Sequence, residues 1–198
     1  MTPKAKARRA TARDRLLAAA DELFYAEGVQ SVGIDRVIES AGVAKASLYR
    51  AFRSKEELVA AYLEARHRVI LGQLTQAVAK EHEARARLLA VFDAQARWLR
   101  RTTNNGCAFT RASAEPAAGI KVLEETASYR HDVRALLTGL AADAGAPDAA
   151  QLGAQLFLLY HSGSAIVTSR QQTEMLGPLR VAAEVLIDAA LGASTRPS

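Results

Sequence analysis

Residues 34–58 of the chain read IDRVIESAGVAKASLYRAFRSKEEL, and this stretch decides the fold. Ile34, Val37 and Ile38 have the three- and four-residue spacing that places apolar side chains on one face of a helix. Gly42 interrupts the pattern, at a position where a left-handed backbone can end the helix. The run AKASLYRA then resumes as a second short helix. Two short helices joined by a tight glycine turn predict a helix-turn-helix, whose second helix enters the major groove of DNA.

The run AGVAKASLYRAFRSKEEL resembles the DNA-binding signature of the TetR family of transcriptional regulators. The preceding segment, LLAAADELFYAEGVQSVGI, resembles the family's first helix and loop, so the resemblance covers residues 11–62. Three positions depart from the family's pattern. Ala44 stands where Ser often caps the recognition helix, Ala51 where an aromatic residue or His is common, and Arg53 where Pro is frequent.

Five polar side chains are candidates for DNA contact. Lys45 could reach a base edge or a phosphate, and Arg50 could bind a phosphate or pair bidentately with guanine. Ser47 is small enough to let the helix sit deep in the groove. Tyr49 resembles the family's phosphate-contacting Tyr, and Lys55 begins a helix, where backbone amides bind anions. The alternative for each of the five is a solvated surface residue.

Basic residues crowd the N-terminus of a chain whose formal net charge is +5. A basic arm ahead of a DNA-binding helix can reach phosphates or the minor groove, and a solvated, disordered tail is the alternative. The basic residues concerned are Lys4, Lys6, Arg8, Arg9, Arg13 and Arg15. The predicted organisation is a basic disordered arm over 1–10, a helix-turn-helix DNA-binding domain over 11–53, and a helical effector-binding and dimerisation domain over 54–198.

Capping signals and helix breakers divide the second domain into helices. Ser54 followed by Glu57 predicts a capping box and a helix that reaches about Lys80, a rod of about 40 Å that links the two domains. Its apolar face is predicted to include Val69. Further helices are predicted over 84–101, 107–114, 120–144, 148–172 and 179–191. The predicted fold class is therefore all-α with about nine helices, in which a three-helix N-terminal domain precedes a helical ligand-binding and dimerisation domain.

The last two helices are apolar on most sides, and such helices must be buried. Their extra apolar surface predicts a homodimer in which they form a four-helix bundle with a second copy, and the resemblance implies the same arrangement. The alternative is that they fill the core of a monomer. Gly177 and Pro178 are predicted to separate these two helices.

An effector pocket is predicted in the second domain from aromatic residues with a few polar groups, the usual lining of small-molecule sites. The candidates are Phe92, Trp98, Cys107, Phe109, Tyr129, Phe157, Tyr160 and His161. Each such residue is more often plain core than the wall of a pocket. Arg97 and Arg130 could pair with an anionic ligand or lie on solvated faces. Cys107, at a predicted helix N-terminus, could be redox-active or structural.

The sequence disfavours other function classes. It contains no phosphate-binding glycine loop, nucleophile elbow or metal-ligand spacing, so we expect neither an enzyme nor a cofactor. The single cysteine, the absence of a membrane-length apolar run and the lack of a signal-peptide core predict a cytoplasmic protein. The resemblance implies a repressor released from a palindromic double-stranded DNA operator by a small molecule. The alternative is a small-molecule sensor or carrier that has lost specific DNA binding.

Overall fold

Helices form most of the chain. The computed structural model describes residues 10–101, 106–116, 118–166 and 170–193, with the backbone alone at 170–172 and 193. The helices are α1 (Ala12–Glu27), α2 (Ile34–Ala41), α3 (Lys45–Ala51), α4 (Lys55–Val78), α5 (Ala84–Arg101), α6 (Ala108–Ala114), α7 (Ile120–Asp143), α8 (Ala149–Ile166) and α9 (Leu176–Ala193). A 3₁₀ turn over Arg170–Met175 precedes α9. These ranges contain no strand, which confirms the all-α prediction.

The first three helices form a small bundle, here called the head. Thr11 begins α1 with a capping box, because its Oγ1 accepts from the Asp14 N–H while the Asp14 carboxylate accepts from the Thr11 N–H. α1 packs against both α2 and α3. The side chains of Leu16, Leu48 and Phe52 are buried where these helices meet. The position of α3 is therefore fixed by apolar packing on its inner side.

α4 leaves the head as a continuous helix of 24 residues, about 36 Å long. Ser54 caps it as predicted, with Oγ accepting from the Glu57 N–H at 3.1 Å. The predicted capping box is only half formed, because the Glu57 carboxylate accepts from the N–H of Arg53 instead of Ser54. Val69 was wrongly predicted to face the core. Its side chain is 56% exposed, and His67 takes an inward position two residues earlier.

α4 to α9 form the second bundle, here called the body, in which α7 and α8 pack most extensively. Gly153 allows their close approach, since a Cβ there would lie 2.7 Å from the Thr138 Cα. Five residues of α7 are predicted from the sequence to face inward: Leu123, Ala127, Val133, Leu137 and Leu140. The last three are buried, but Leu123 and Ala127 are exposed. Thr126 is buried instead, and its hydroxyl is satisfied by donating to the Val122 carbonyl at 2.8 Å.

The predicted boundaries of the last two helices were wrong. α8 ends at Ile166, six residues before the predicted Gln172, and a 3₁₀ turn follows. Gly177 and Pro178 do not separate the helices but lie in the first turn of α9. Proline is tolerated there because the N–H groups of a first turn have no intrahelical acceptor.

Several sequence predictions fall outside the described residues. They concern residues 1–9 of the predicted basic arm, the loop at 102–105 and the C-terminal tail from 194 onward. Arg13 and Arg15 are described and lie within α1. Within the described ranges, no helix is both long and apolar enough to cross a membrane.

Candidate DNA-binding surface and effector core

The turn between α2 and α3 depends on Gly42. Its φ of 60° and ψ of 42° lie in the left-handed region, and the following Val43 N–H donates to the Ile38 carbonyl at 3.4 Å. A Cβ at this position would meet nothing within 4 Å, so the backbone conformation alone selects glycine. Arg15 of α1 donates to the Gly42 carbonyl at 3.2 Å. The head thereby fixes the angle at which α3 leaves the turn.

α3 presents a polar face to solvent opposite the buried Leu48. Lys45, Tyr49 and Arg50 are exposed, and the Tyr49 ring is 51% exposed although it is a large aromatic group. Ser47 is half-buried at the edge of this face. These three side chains therefore lie on the surface of α3 that would face the bases and phosphates of a major groove.

Lys45 is held by an ion pair within the head. Its Nζ lies 2.8 Å from Oδ1 of Asp35 in α2, and both side chains are mostly exposed. The hydrogen bond that Lys45 donates to the Asp35 carboxylate raises the pKa of Lys45, so the ammonium stays charged. Solvent screens an exposed pair of this kind, so a phosphate could displace Asp35 at low cost.

Lys55 opens α4 and is half-buried. It lies beside a groove that Val29, Glu56 and Gly119 also line, between the head and the start of α7. The recognition helix itself begins without a side-chain cap, because Ala44 offers no acceptor. Ser54 Oγ accepts from the Glu57 N–H, so the amides that remain for an anion at the N-terminus of α4 are those of Lys55 and Glu56.

The predicted effector residues separate into three places. Cys107, Phe109, Tyr129 and Tyr160 are buried near one another in the body. The Phe109 and Tyr129 rings stack with centroids 3.9 Å apart, and the Tyr129 and Tyr160 hydroxyls lie 3.3 Å apart. Burial raises the pKa of both tyrosines, so both remain neutral phenols. Phe92 is buried in the same hydrophobic core.

The other predicted effector residues lie away from that stack. Phe157 and His161 stack on each other along α8, with centroids 5.8 Å apart, and both are half-buried. Burial lowers the pKa of His161, and the nearby Arg130 lowers it further. Trp98 is also half-buried and lines an open groove between α1, α4 and α5. The eight residues do not surround one common space.

Buried polar atoms without a partner accompany the aromatic stack. Gln95 donates through Nε2 to the Tyr160 carbonyl at 2.6 Å and to Ser164 Oγ at 2.7 Å, while its Oε1 is buried without a partner among the described residues. Thr110 Oγ1 and Arg130 Nε are also buried without a hydrogen-bond partner among the described residues. Such atoms usually find a partner, so each is a potential hydrogen-bonding group for a ligand.

The sequence of the head and the start of α4 is similar to that of known proteins. Residues 16–62 match the model of the family described as bacterial regulatory proteins, tetR family. The chain is 37% identical over 82 residues to the HTH-type transcriptional activator FasR of Mycolicibacterium smegmatis, covering 41% of this chain and 37% of FasR. It is 31% identical over 105 residues to the HTH-type transcriptional repressor NemR of Escherichia coli, covering 52% of this chain and 53% of NemR.

A third relative is covered over more of its length. The chain is 31% identical over 94 residues to the HTH-type transcriptional regulator TtgW of Pseudomonas putida, which is described as uncharacterized, covering 48% of this chain and 70% of TtgW. The chain belongs to the TetR family. The relatives named above are described as an activator, a repressor and a regulator of transcription.

The similarity of fold extends through the body of this TetR-family chain. The crystal structure of a TetR-family transcriptional regulator from Streptomyces coelicolor is similar with a TM-score of 0.77 and 29% identity, covering 93% of this chain and 96% of that one. The curated sequence relatives are matched over less of their length. The chain spans 37% of FasR and about half of NemR.

Sequence reasoning missed the polar contacts that join the head of this TetR-family chain to α6 and α7. Arg111 donates to the Tyr25 carbonyl at 2.9 Å, and the Gln30 N–H donates to Glu115 Oε1 at 3.1 Å. Lys121 donates through its backbone N–H to Glu56 and through Nζ to Glu57. The sequence offered one signal for these contacts: two charged residues, Glu115 and Lys121, flank the segment that contains Pro116 and Gly119.

His67 was also missed, because it interrupts the apolar pattern of α4. Its Nδ1 lies 2.8 Å from Oε1 of Glu125 in α7. Its Nε2 lies 3.1 Å from Oδ2 of Asp132, close enough for an ion pair but outside hydrogen-bonding geometry. The imidazole thus links α4 to α7 beside the Phe109–Tyr129 stack. No group of three or more His, Cys, Asp or Glu side chains suited to a metal occurs in the described ranges.

Proposed function

We propose that the chain is a repressor that binds a palindromic operator as a homodimer and is released by a small-molecule effector. The observation that carries the proposal is the exposed polar face of α3 within a helix-turn-helix whose inner side is buried. The assignment of 11–53 to DNA binding and of 54–198 to effector binding and dimerisation belongs to the same proposal.

DNA contact is proposed for Lys45, Ser47, Tyr49, Arg50 and Lys55. The exposure of Tyr49 supports this role, because its ring and hydroxyl are accessible to a DNA backbone. Lys45 and Arg50 contribute charge on the same face, and a cation that neutralises a phosphate releases condensed counterions. Lys55 adds a cation where the first amides of α4 are open to an anion.

A homodimer through the last two helices is supported by their exposed apolar side chains. Leu158 of α8 and Val181 and Val185 of α9 are all more than half exposed in the single chain. Val181 and Val185 are four residues apart and so lie on one face of α9. Pairing with a second copy would bury this surface and would bring two recognition helices to one duplex.

Effector release is supported by the path from the body to the head. The partnerless polar atoms of Gln95, Thr110 and Arg130 could bind a ligand beside the aromatic stack of the body. α4 runs without interruption from the body to the head, and Lys121 holds its first turn. A ligand that favours a tilted α4 would shift the dimer away from its DNA-binding form. The size of the shift is set by the difference between the ligand's affinities for the two forms.

DNase footprinting of the chain's own upstream region tests this proposal. We expect protection of two symmetric half-sites about 34–36 Å apart, or a multiple of that spacing, as two-fold symmetric helix-turn-helix dimers give. Protection of a single half-site would contradict the dimer. Absence of protection on the upstream region and on fragments from a genome-wide selection would contradict specific DNA binding.

An activator is the second candidate, because FasR is named a transcriptional activator and NemR a repressor. The two roles would use the same protein surfaces and differ in where the operator lies relative to the promoter. A reporter gene behind the footprinted site separates them, since deletion of the regulator raises expression under a repressor and lowers it under an activator. A carrier without DNA binding would leave the reporter unchanged.

A further inference from the structure

An open groove runs along the outer side of α4, between α1 and α5. Its volume is about 450 Å³, within the usual range for small-molecule sites. The lining is mostly apolar and includes Val69, whose exposure the α4 pattern did not predict. The lining residues are Leu17, Tyr62, Ala65, Val69, Ile70 and Trp98, with Asp21 and Arg66 as the charged members.

The two charged residues of this groove neutralise each other. Arg66 donates to both carboxylate oxygens of Asp21, through Nε at 2.6 Å and Nη2 at 3.1 Å. The Arg66 guanidinium also lies 3.9 Å from the centre of the Tyr25 ring, and its side chain is only 13% exposed. A closed pair of this kind attracts neither sign of charge strongly, so the groove offers mainly apolar contact.

A second groove, of about 230 Å³, lies on the other side of Trp98. It has a different character, because three cations line it: Lys80, Arg97 and Arg101. Its described lining contains no carboxylate, and none of the three forms an ion pair with a described residue. Unpaired cations gathered around a concave surface attract an anion.

We propose that these two grooves together, here called the α4–α5 trough, bind an amphipathic organic anion such as a medium-length acyl carboxylate. The apolar body of the ligand lies in the first groove, against Val69 and the Trp98 ring. Its carboxylate lies in the second groove, where Arg97 and Arg101 can each donate charge-assisted hydrogen bonds. The site is separate from the aromatic core of the body, and it does not require that the chain act as a repressor.

The place of the trough gives ligand binding a structural consequence. Its walls belong to α1 of the head and to α4 and α5 of the body. A ligand lying against all three helices would favour one setting of the head relative to α4. Binding and its effect on DNA affinity are separate measurements, so the site can be tested without an operator.

Trp98 is the sole tryptophan of the chain, so its fluorescence reports on the trough directly. The probe is sodium dodecanoate, titrated below its micelle concentration, with 1-dodecanol as the uncharged probe of equal chain length. We expect a saturable change in Trp98 emission with dodecanoate. The double substitution Arg97→Gln, Arg101→Gln should weaken dodecanoate binding by about tenfold and leave dodecanol binding unchanged. Arg134→Gln removes an exposed arginine of α7 as the matched control and should change neither.

A second variant tests the apolar half. Ala65→Leu places a larger side chain in the first groove without changing charge and should weaken binding of both probes. The proposal is wrong if dodecanoate gives no saturable change in the wild-type protein, or if it binds equally well to the arginine and Ala65 variants. It is also wrong if the arginine substitutions weaken the binding of duplex DNA and leave the binding of dodecanoate unchanged. A wild-type protein that binds dodecanoate but no specific duplex would contradict the repressor proposal alone.

Discussion

The Nζ of Lys121 in the first turn of α7 lies 2.6 Å from Oε1 of Glu57 in the first turn of α4. The other oxygen of the same carboxylate accepts the Arg53 N–H at 2.8 Å. One carboxylate therefore both holds the residue before the N-cap of α4 and links α4 to α7. The charge of Glu57 is the property on which both contacts depend.

The first prediction concerns acid stability. The hydrogen bonds from Lys121 and Arg53 lower the pKa of Glu57, so folding favours the ionised form. A carboxyl whose pKa is lower in the folded state stabilises the fold above its unfolded pKa, about 4.3, and loses this contribution as pH falls through the folded pKa. Urea unfolding midpoints at pH 7 and near pH 3.5 should therefore differ less in Glu57→Gln than in the wild type.

Glu64→Gln is the matched control for this measurement, because Glu64 is an exposed glutamate of the same helix. It should retain the acid dependence of the wild type. An acid dependence in Glu57→Gln that equals the wild type's would show that the contact with Lys121 does not stabilise the fold.

The second prediction concerns the missing cap of the recognition helix. Ala44 has the extended backbone of an N-cap residue but no side-chain acceptor. Ala44→Ser supplies one and should raise the free energy of unfolding by about 0.5–2 kcal/mol, measured by urea denaturation. Ala46→Ser is the control, since it places the same hydroxyl inside the helix, where no cap forms. Equal stability of the two variants would count against a capping effect.

The third prediction concerns the contact between α7 and α8. A methyl group at Gly153 would lie 2.7 Å from the Thr138 Cα and 2.9 Å from its backbone N, so the two helices must separate. Gly153→Ala should lower the free energy of unfolding by about 1–3 kcal/mol. Gly139→Ala is the control in α7, where a Cβ meets nothing within 4 Å and should stabilise by up to about 1 kcal/mol. A harmless Gly153→Ala would mean that the helices are less closely packed than described.

The fourth prediction concerns the dimer. Val181→Glu with Val185→Glu places two charges on the exposed apolar face of α9. Sedimentation equilibrium should show a dimer for the wild type and a monomer for this variant, because burying unpaired carboxylates is costly. Ile120→Glu is the control, since Ile120 is an exposed apolar residue of α7. A dimer that survives the double substitution would assign the interface to another surface.

The sequence predicted the head well because its signals are local. Gly42 and Ser54 each set a helix end through their own backbone or hydroxyl, and each lies where it was expected. The range 84–101 predicted for the next helix also agrees with α5. All-α architecture followed from these ends and from the apolar spacing between them.

The errors came from contacts between distant residues. Val69 and Leu123 were expected to be buried. The spacing of apolar residues does not reveal that His67 is buried in α4, where it pairs with Glu125 of α7. Gly177 and Pro178 read as a break, although a first helical turn accepts both. The residues of the effector pocket were the least predictable part. Aromatic residues occur both in packed cores and in the walls of ligand cavities, so their presence does not distinguish the two.

The central claim is that α3 and the start of α4 bind specific DNA. It is tested most directly by fluorescence anisotropy on duplexes tiling the upstream region, with scrambled competitor. The comparison is between the wild type, Tyr49→Ala with Lys55→Ala, and the control Arg134→Ala. We predict tight binding that resists competitor, weakens as salt rises, survives Arg134→Ala and is abolished by the double substitution. Binding no stronger than to scrambled DNA on every duplex, or binding that the double substitution leaves intact, would contradict the claim.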